Sequence, residues 1–296
     1  MANQQNRRSA IKSMLAGTAA IGASGMLTSF TQPSDQNMPT AKLKGNINHS
    51  VCRWCYAAIP LDELCAAGKE MGLKAIDLVG PTDWPTLQKY GLYSAMCNGA
   101  EINLTDGFND KRFHDTLIKN YTTMIPLVAA AGYKNLICFS GSRRGMDDET
   151  GWTNCVEGLK QLIPLAEKHN VILVMELLNS KINHKDYQCD KTPWGVELVK
   201  RVGSENFKLL YDIYHMQIDE GDVIRTITEN HQYIAHYHTG GVPGRNEIDE
   251  SQELYYPAVM KAILATGFTG YVAQEFIPKR PDKLASLKQG VLICDV

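Results

Sequence analysis

Four polar side chains close four successive apolar runs in the second half of the chain. Glu176 ends Val171-Ile-Leu-Val-Met, Asp212 ends Phe207-Lys-Leu-Leu-Tyr, His238 ends Tyr233-Ile-Ala-His-Tyr, and Glu275 ends Gly270-Tyr-Val-Ala-Gln. An oxygen-rich donor set with one imidazole suits Mn²⁺, Mg²⁺ or Co²⁺ ahead of a structural Zn²⁺. Singly, each residue has an ordinary reading: a polar strand end, a cap, a bonded core histidine, a partner for Lys279. Their recurrence at the same point of four consecutive runs points instead to one divalent cation, if the fold brings those ends together.

The stretch from His236 to Asp249 adds further groups. In a strand, residues two apart share a face, so His236 points the same way as His238 and is a candidate for orienting or polarising a substrate. The strand then breaks into Thr239-Gly-Gly-Val-Pro-Gly, and Arg245 returns from this loop with a fork suited to a carboxylate or phosphate. The same stretch reads equally well as two core histidines and a surface arginine. Lys181, after the Glu176 run, and Arg143-Arg144, after an earlier run, are further loop cations, with solvated charge as the plain alternative. Trp54, Tyr56, Trp84 and Phe108 fall in or near loops where they could wall a pocket or simply pack. Cys52-x-x-Cys55 has metal-pair spacing, but no second pair accompanies it, so it reads as two ordinary strand-end residues.

From Asn46 onward the pattern repeats a short apolar run, a loop and an amphipathic helix. Strands are expected at 46–52, 74–79, 92–97, 135–139, 171–176, 207–212, 233–238 and 270–275. Helices are expected at 60–71, 84–90, 110–131, 148–170 (bent or split at Pro164), 192–202, 219–230, 252–266 and 281–292. Strict alternation implies a parallel sheet, and eight units in 296 residues imply an α/β fold of the single (β/α)8 TIM-barrel type. An open doubly wound sheet would want a glycine-rich phosphate loop after the first strand, and none is present. In a barrel, the four polar strand ends meet at one mouth.

Composition is that of an ordinary globular chain, with 44% hydrophobic and 21% charged residues. A net charge of -2 and a pI near 6.4 supply no basic surface for nucleic acid, and no apolar run after the N-terminus is long enough to span a bilayer. Residues 1–30 stand apart: Arg7-Arg8 in a charged start, then an uncharged Ala/Gly-rich run from Ser13 to Phe30. This reads as a twin-arginine-type export signal, with a polar linker over 31–45 and a catalytic barrel over 46–296. The expected location is periplasmic or otherwise exported, with the cytoplasm as the alternative.

The chain resembles the xylose isomerase-like TIM-barrel superfamily, nearest its hydroxypyruvate isomerase branch, with ketose 3-epimerases as relatives. Val174-Met-Glu176-Leu-Leu-Asn179, Tyr211-Asp212-Ile-Tyr-His215-Met-Gln, His236-Tyr-His238, Gly241-Val-Pro-Gly-Arg245 and Val272-Ala-Gln-Glu275 carry the likeness. The resemblance implies Glu176, Asp212, His238 and Glu275 as ligands of one divalent ion (Mn, Mg, Co or Zn). It implies Glu176 and Glu275 as a catalytic acid/base pair working through an enediolate, and His215 and Arg245 as substrate contacts. The substrate would be a small hydroxy-keto acid or sugar. The Gly-Val-Pro-Gly-Arg loop is isomerase-like, whereas His238 stands where isomerases tend to carry glutamine and epimerases histidine. An epimerase and a non-catalytic exported sugar-binding barrel are the alternatives. An abasic-site endonuclease of the same superfamily would want more metal ligands and a basic face. Assembly into a homo-oligomer is left open.

Overall fold

Among the described residues, eight short, largely buried strands pair in parallel, with ten α-helices packed between and around them. The computed structural model describes residues 42–296. The expected export signal and residues 31–41 of the expected linker lie outside the described residues. Leu43 already packs against the core, and the Lys44 amide donates to Asp295.

The strands are β1 (Asn48–Val51), β2 (Ala75–Val79), β3 (Tyr93–Cys97), β4 (Asn135–Cys138), β5 (Ile172–Glu176), β6 (Phe207–Asp212), β7 (Ile234–Thr239) and β8 (Tyr271–Gln274). From β2 to β8 each strand pairs with its sequence neighbour, and β1 pairs with β8. The seam between β1 and β2 is closed by a parallel bridge from Cys52 to Asp77 and by the Lys74 amide donating to the His49 carbonyl. The sheet is therefore the expected eight-stranded TIM barrel. Its strands are near-continuous buried apolar runs because helices cover the outside and side chains fill the interior.

The helices are α1 (Leu61–Met71), α2 (Trp84–Lys89), α3 (His114–Ala130), α4 (Asp148–Lys160), α5 (Ile163–His169), α6 (Thr192–Val202), α7 (Ile213–Asp219), α8 (Val223–Asn230), α9 (Tyr256–Ala265) and α10 (Lys283–Cys294). Pro164 does split the expected 148–170 helix, into α4 and α5. Two expectations shift. The helix expected from 219 begins at Val223, and an additional helix, α7, follows β6 at once, nucleated by the Asp212 carboxylate accepting the His215 amide at 3.1 Å. The helix expected from 252 begins at Tyr256. Asp249 accepts the Ser251 amide and Gln252 accepts the Leu254 amide, and these local bonds hold the preceding residues in turns.

The sequence of β2 hides an irregularity. Its pairing with β3 shifts register on both sides of Asp77, and Leu78 takes a left-handed φ of 58°. Such a bulge re-aims side chains, and here Asp77 turns into the barrel interior. Among the described residues no helix is long and apolar enough to cross a membrane. All eight cysteines are buried and unpaired.

Candidate active site

The ends of β5 to β8 do converge. Ligand-type atoms of Glu176, Asp212, His238 and Glu275 all lie within 4.8 Å of one another, and all four residues are buried. Each has a local reason for its position. Glu176 and Asp212 are the last residues of their strands, His238 is the penultimate residue of β7, and Glu275 directly follows β8. Asp212 spends one oxygen on capping α7 and turns the other, Oδ2, to the cluster. The Glu275 amide donates to Thr239 on β7 at 3.0 Å, which extends the sheet by one residue and fixes the carboxylate's direction.

Arg245 is the cation of the site. Its Nη2 donates to Glu275 Oε2 at 2.5 Å and to Asp212 Oδ2 at 3.2 Å, and its guanidinium lies 5.1 Å from the Trp54 ring and 5.4 Å from that of Tyr214. Backbone bonds from Arg245 to Gly241 and from Ile277 to Arg245 clamp the loop on both sides. Gly241 is required here: a Cβ would stand 2.2 Å from the Glu247 carbonyl oxygen. The guanidinium expected to meet substrate is thus already bonded to two of the expected ligands. Trp54 Nε1 donates to the other Glu275 oxygen at 2.7 Å.

His215, at the start of α7, is buried behind Asp212. Its Nδ1 accepts the Asn179 amide at 3.2 Å, which leaves Nε2 to carry the hydrogen, 3.6 Å from Asp212 Oδ2. Burial, reinforced by Arg245, holds its pKa well below the ordinary value, so the ring is neutral. His236 lies deeper in the barrel, with its Nε2 2.5 Å from Asp77 Oδ2. Lys181 is not brought to the cluster: it is exposed, and its Nζ donates to the Ile218 carbonyl at the end of α7. Arg143 is taken up by Asp148 at the start of α4, and Arg144 by the loop carboxylate Asp106. Of the four aromatic residues, Trp54 lines the mouth, while Tyr56, Trp84 and Phe108 are core residues.

Above the cluster lies a cavity of about 470 Å³, bounded by Trp54, Leu78, Phe139, Leu178, His184 and the two glutamates. A larger hollow of about 590 Å³ at the other end of the barrel, near Tyr93, Lys208 and Tyr271, contains none of the clustered ligands. Sequence reasoning missed three neighbours of the site. His184 sits on the long loop after β5, and only the path of that loop brings it to the cavity. Asp77 had a legible signal, a lone acid within Ala75-Ile-Asp-Leu-Val79. Cys52 reads from its spacing with Cys55 as an ordinary strand-end residue, whereas its Sγ lies 3.6 Å from His238 Nε2.

Charge is distributed unevenly within the cluster. Burial alone would raise Glu275, but Arg245 and then His238 outweigh it and hold the carboxyl well below its ordinary range. Burial, and next the charge of Glu275, raise Glu176. Burial also raises Asp212 strongly, against the pull of Arg245. Burial disfavours a proton on His238, but Cys52, Glu275 and Asp77 around the ring overcome it and keep the imidazole protonated. Because the Cys52 thiol is itself pushed up by burial and stays neutral, the carboxylates are the physical source of that effect. Glu176 Oε1 is buried without a hydrogen-bond partner. Three carboxylates packed around one arginine, with an orphaned oxygen and an imidazole Nδ1 between them, fit a divalent cation.

A parallel eight-stranded barrel with an acid-and-imidazole cluster at the C-terminal ends of its strands defines the class to which this chain conforms. Residues 84–291 match the family model described as xylose isomerase-like TIM barrel, and the chain belongs to that family. It is 30% identical over 154 residues to the hydroxypyruvate isomerase of Escherichia coli (strain K12), covering 51% of this chain and 58% of that protein. It is 28% identical over 173 residues to the D-psicose 3-epimerase of Ruminiclostridium cellulolyticum, covering 56% of this chain and 55% of that protein. The chain thus spans little more than half the length of these curated relatives. Among solved structures, AP endonuclease, family 2 from Brucella melitensis superposes with a TM-score of 0.74 at 22% identity, over 83% of this chain and 99% of that one. At that identity the likeness is one of fold.

Proposed function

We propose that this protein is a divalent-metal-dependent isomerase of a small hydroxy-keto acid or sugar, of the hydroxypyruvate isomerase type. The observation that carries the proposal is the convergence of Glu176, Asp212, His238 and Glu275 beneath one cavity, with two of the three carboxylates free of any helix-capping duty. The named relatives, isomerases and epimerases alike, support the same class of chemistry.

Glu176, Asp212, His238 and Glu275 would hold the ion. When bound, it supplies Lewis-acid stabilisation of the negative charge that develops as a carbon-bound proton leaves a hydroxy-ketone. The remaining work falls to the chain. Glu275, kept ionised by Arg245, takes the proton from carbon and leaves an enediolate. That proton is returned at the neighbouring carbon by Glu275 or by Glu176 opposite it, while the hydroxyl proton passes from one enediolate oxygen to the other, and the carbonyl so moves by one position. The guanidinium of Arg245, paired with Glu275, favours the ionised form of that glutamate and so its role as base. His215, neutral and fixed by Asn179, keeps an Nε2–H available as an uncharged donor. The apolar wall of Leu78, Phe139 and Leu178 limits water around the reacting atoms. An epimerase is the second reading: His238 as the imidazole of the cluster favours it, and the same pair would then return the proton to the opposite face of the same carbon.

The test is product identification by NMR, with Mn²⁺- or Mg²⁺-loaded full-length chain and a panel of hydroxy-keto acids and ketoses. A shifted carbonyl supports the isomerase, and inversion at one carbon supports the epimerase. Binding of panel members without conversion of any points to a non-catalytic barrel. Export by way of residues 1–30 remains part of the proposal, and secretion of a fusion carrying those residues, abolished by Arg7→Lys/Arg8→Lys, tests it.

Ion uptake carries its own pH signature. Glu176, Asp212 and His238 all hold protons more tightly than usual, and each must give its proton up to act as a ligand. Mn²⁺ affinity is therefore expected to rise with pH through the acid-to-neutral range. Titration calorimetry in buffers of different ionisation enthalpy should show protons released. Affinity independent of pH would contradict this account.

A further inference from the structure

The cluster has a floor that the proposed reaction does not use. His238 faces two environments: Nδ1 lies 2.7 Å from Glu275 Oε2 and 3.4 Å from Glu176 Oε1, while Nε2 lies 3.4 Å from Asp77 Oδ2. Asp77 reaches this ring from β2, across the barrel interior from β7. It is completely buried. A buried carboxylate is costly unless its oxygens are occupied, and both of these are: Ser50 Oγ donates to Oδ1, and His236 Nε2 lies against Oδ2. The bulge in β2 is what aims this acid inward. The His236 and His238 rings meet edge to face at 5.1 Å, so neither can swing without moving the other.

Resting on the reading of His238 as a metal ligand, we propose that Asp77 is a positioning residue that fixes His238 in its Nε2–H form and so presents Nδ1 to the cation. Ser50 and His236 hold the Asp77 carboxylate in place for that purpose. A ligating imidazole generally donates its other ring N–H to such an outer partner, which sets both tautomer and orientation. Among the described residues, Asp77 is the carboxylate facing Nε2; Glu176 and Glu275 both face Nδ1. The same three donors, Asp77, His236 and His238, also lie within 4.8 Å of one another, so a second, deeper cation is the competing occupant.

The experiment compares full-length wild type with Asp77→Ala and, in case the alanine variant fails to fold, Asp77→Asn. Two quantities are read: Mn²⁺ affinity and stoichiometry by calorimetry, and the His238 ring-nitrogen signals by ¹⁵N NMR in the Zn²⁺-loaded and metal-free forms. The expected result is one cation per wild-type chain, with Zn²⁺ on Nδ1 and a hydrogen on Nε2. Affinity should fall about 10- to 100-fold in Asp77→Ala, with Zn²⁺ no longer confined to Nδ1 in that variant. Wild-type binding with Zn²⁺ on Nε2, or a variant with unchanged affinity and tautomer, would overturn the positioning role and leave the metal site standing. Two cations per chain, one lost on substitution, would replace it with the second site. A wild type that takes up no cation would overturn both readings together.

Discussion

Glu275→Gln is expected to lower turnover about a thousandfold or more while the barrel stays folded, the scale on which loss of a positioned general base is felt. The substitution preserves shape and removes one charge. Its effect on stability is decided by what surrounds that charge. Glu275 shares its space with Glu176 and Asp212, so removing it relieves repulsion, but it also removes the closest partner of Arg245, at 2.5 Å. Arg245 keeps Asp212 at 3.2 Å, so the guanidinium is not left alone. The melting temperature of the metal-free variant should therefore stay near that of wild type, while kcat collapses on whichever substrate the panel identifies. Glu176→Gln should behave similarly with less perturbation, because burial already favours the neutral form of that carboxyl. Wild-type turnover in either variant would remove the acid/base assignment.

The second large effect is expected at Arg245. Replacing it with methionine removes the positive charge between Asp212 and Glu275, both almost fully buried. Breaking a buried pair by deleting one partner typically costs about 3 kcal/mol or more, because the other charge is left without compensation. The direction with pH follows from the depressed Glu275 carboxyl. Its contribution to stability is present above the ordinary carboxylate pKa and is lost as pH falls through the lower folded value. In Arg245→Met the folded value moves up, so stability is lost at neutral pH and the variant's deficit narrows on acidification. The acid limb of the rate profile should move to higher pH for the same reason. Denaturant titrations of metal-free protein at neutral and acidic pH read the first effect, and kcat/KM against pH reads the second. Arg245→Lys keeps a charge but not the fork, and should fall between wild type and methionine.

The barrel was legible because its signal is redundant. Each strand is an apolar run, each helix carries a stripe and a stop, and a misplaced boundary such as the start of α9 does not disturb the count. Convergence of the four expected ligands followed from the fold rule together with the strand ends at 176, 212, 238 and 275. Where sequence reasoning fell short, the missing information was three-dimensional. α7 was overlooked because Asp212 serves both as a cluster carboxylate and as a helix cap, and only the first role shows in a pattern of strand ends. Asp77 was passed over because a lone acid in an apolar strand does not say which way a bulge will turn it. Lys181 was placed at the mouth by its position after β5, whereas the loop carries it out to the end of α7. The partners of Arg245 come from β6 and from just beyond β8, and no spacing within its own loop could have named them.

The measurement that tests the central claim most directly is a Mn²⁺ titration of the full-length protein followed by electron paramagnetic resonance, beside the Asp212→Asn variant. Asp212 is chosen because it would bind the ion without serving as acid or base, and asparagine keeps an oxygen to cap α7. Saturation at one Mn²⁺ per chain in wild type, with affinity sharply reduced in the variant, is the predicted result. No uptake by wild type, or equal uptake by both proteins, would contradict a metal centre at the ends of β5 to β8.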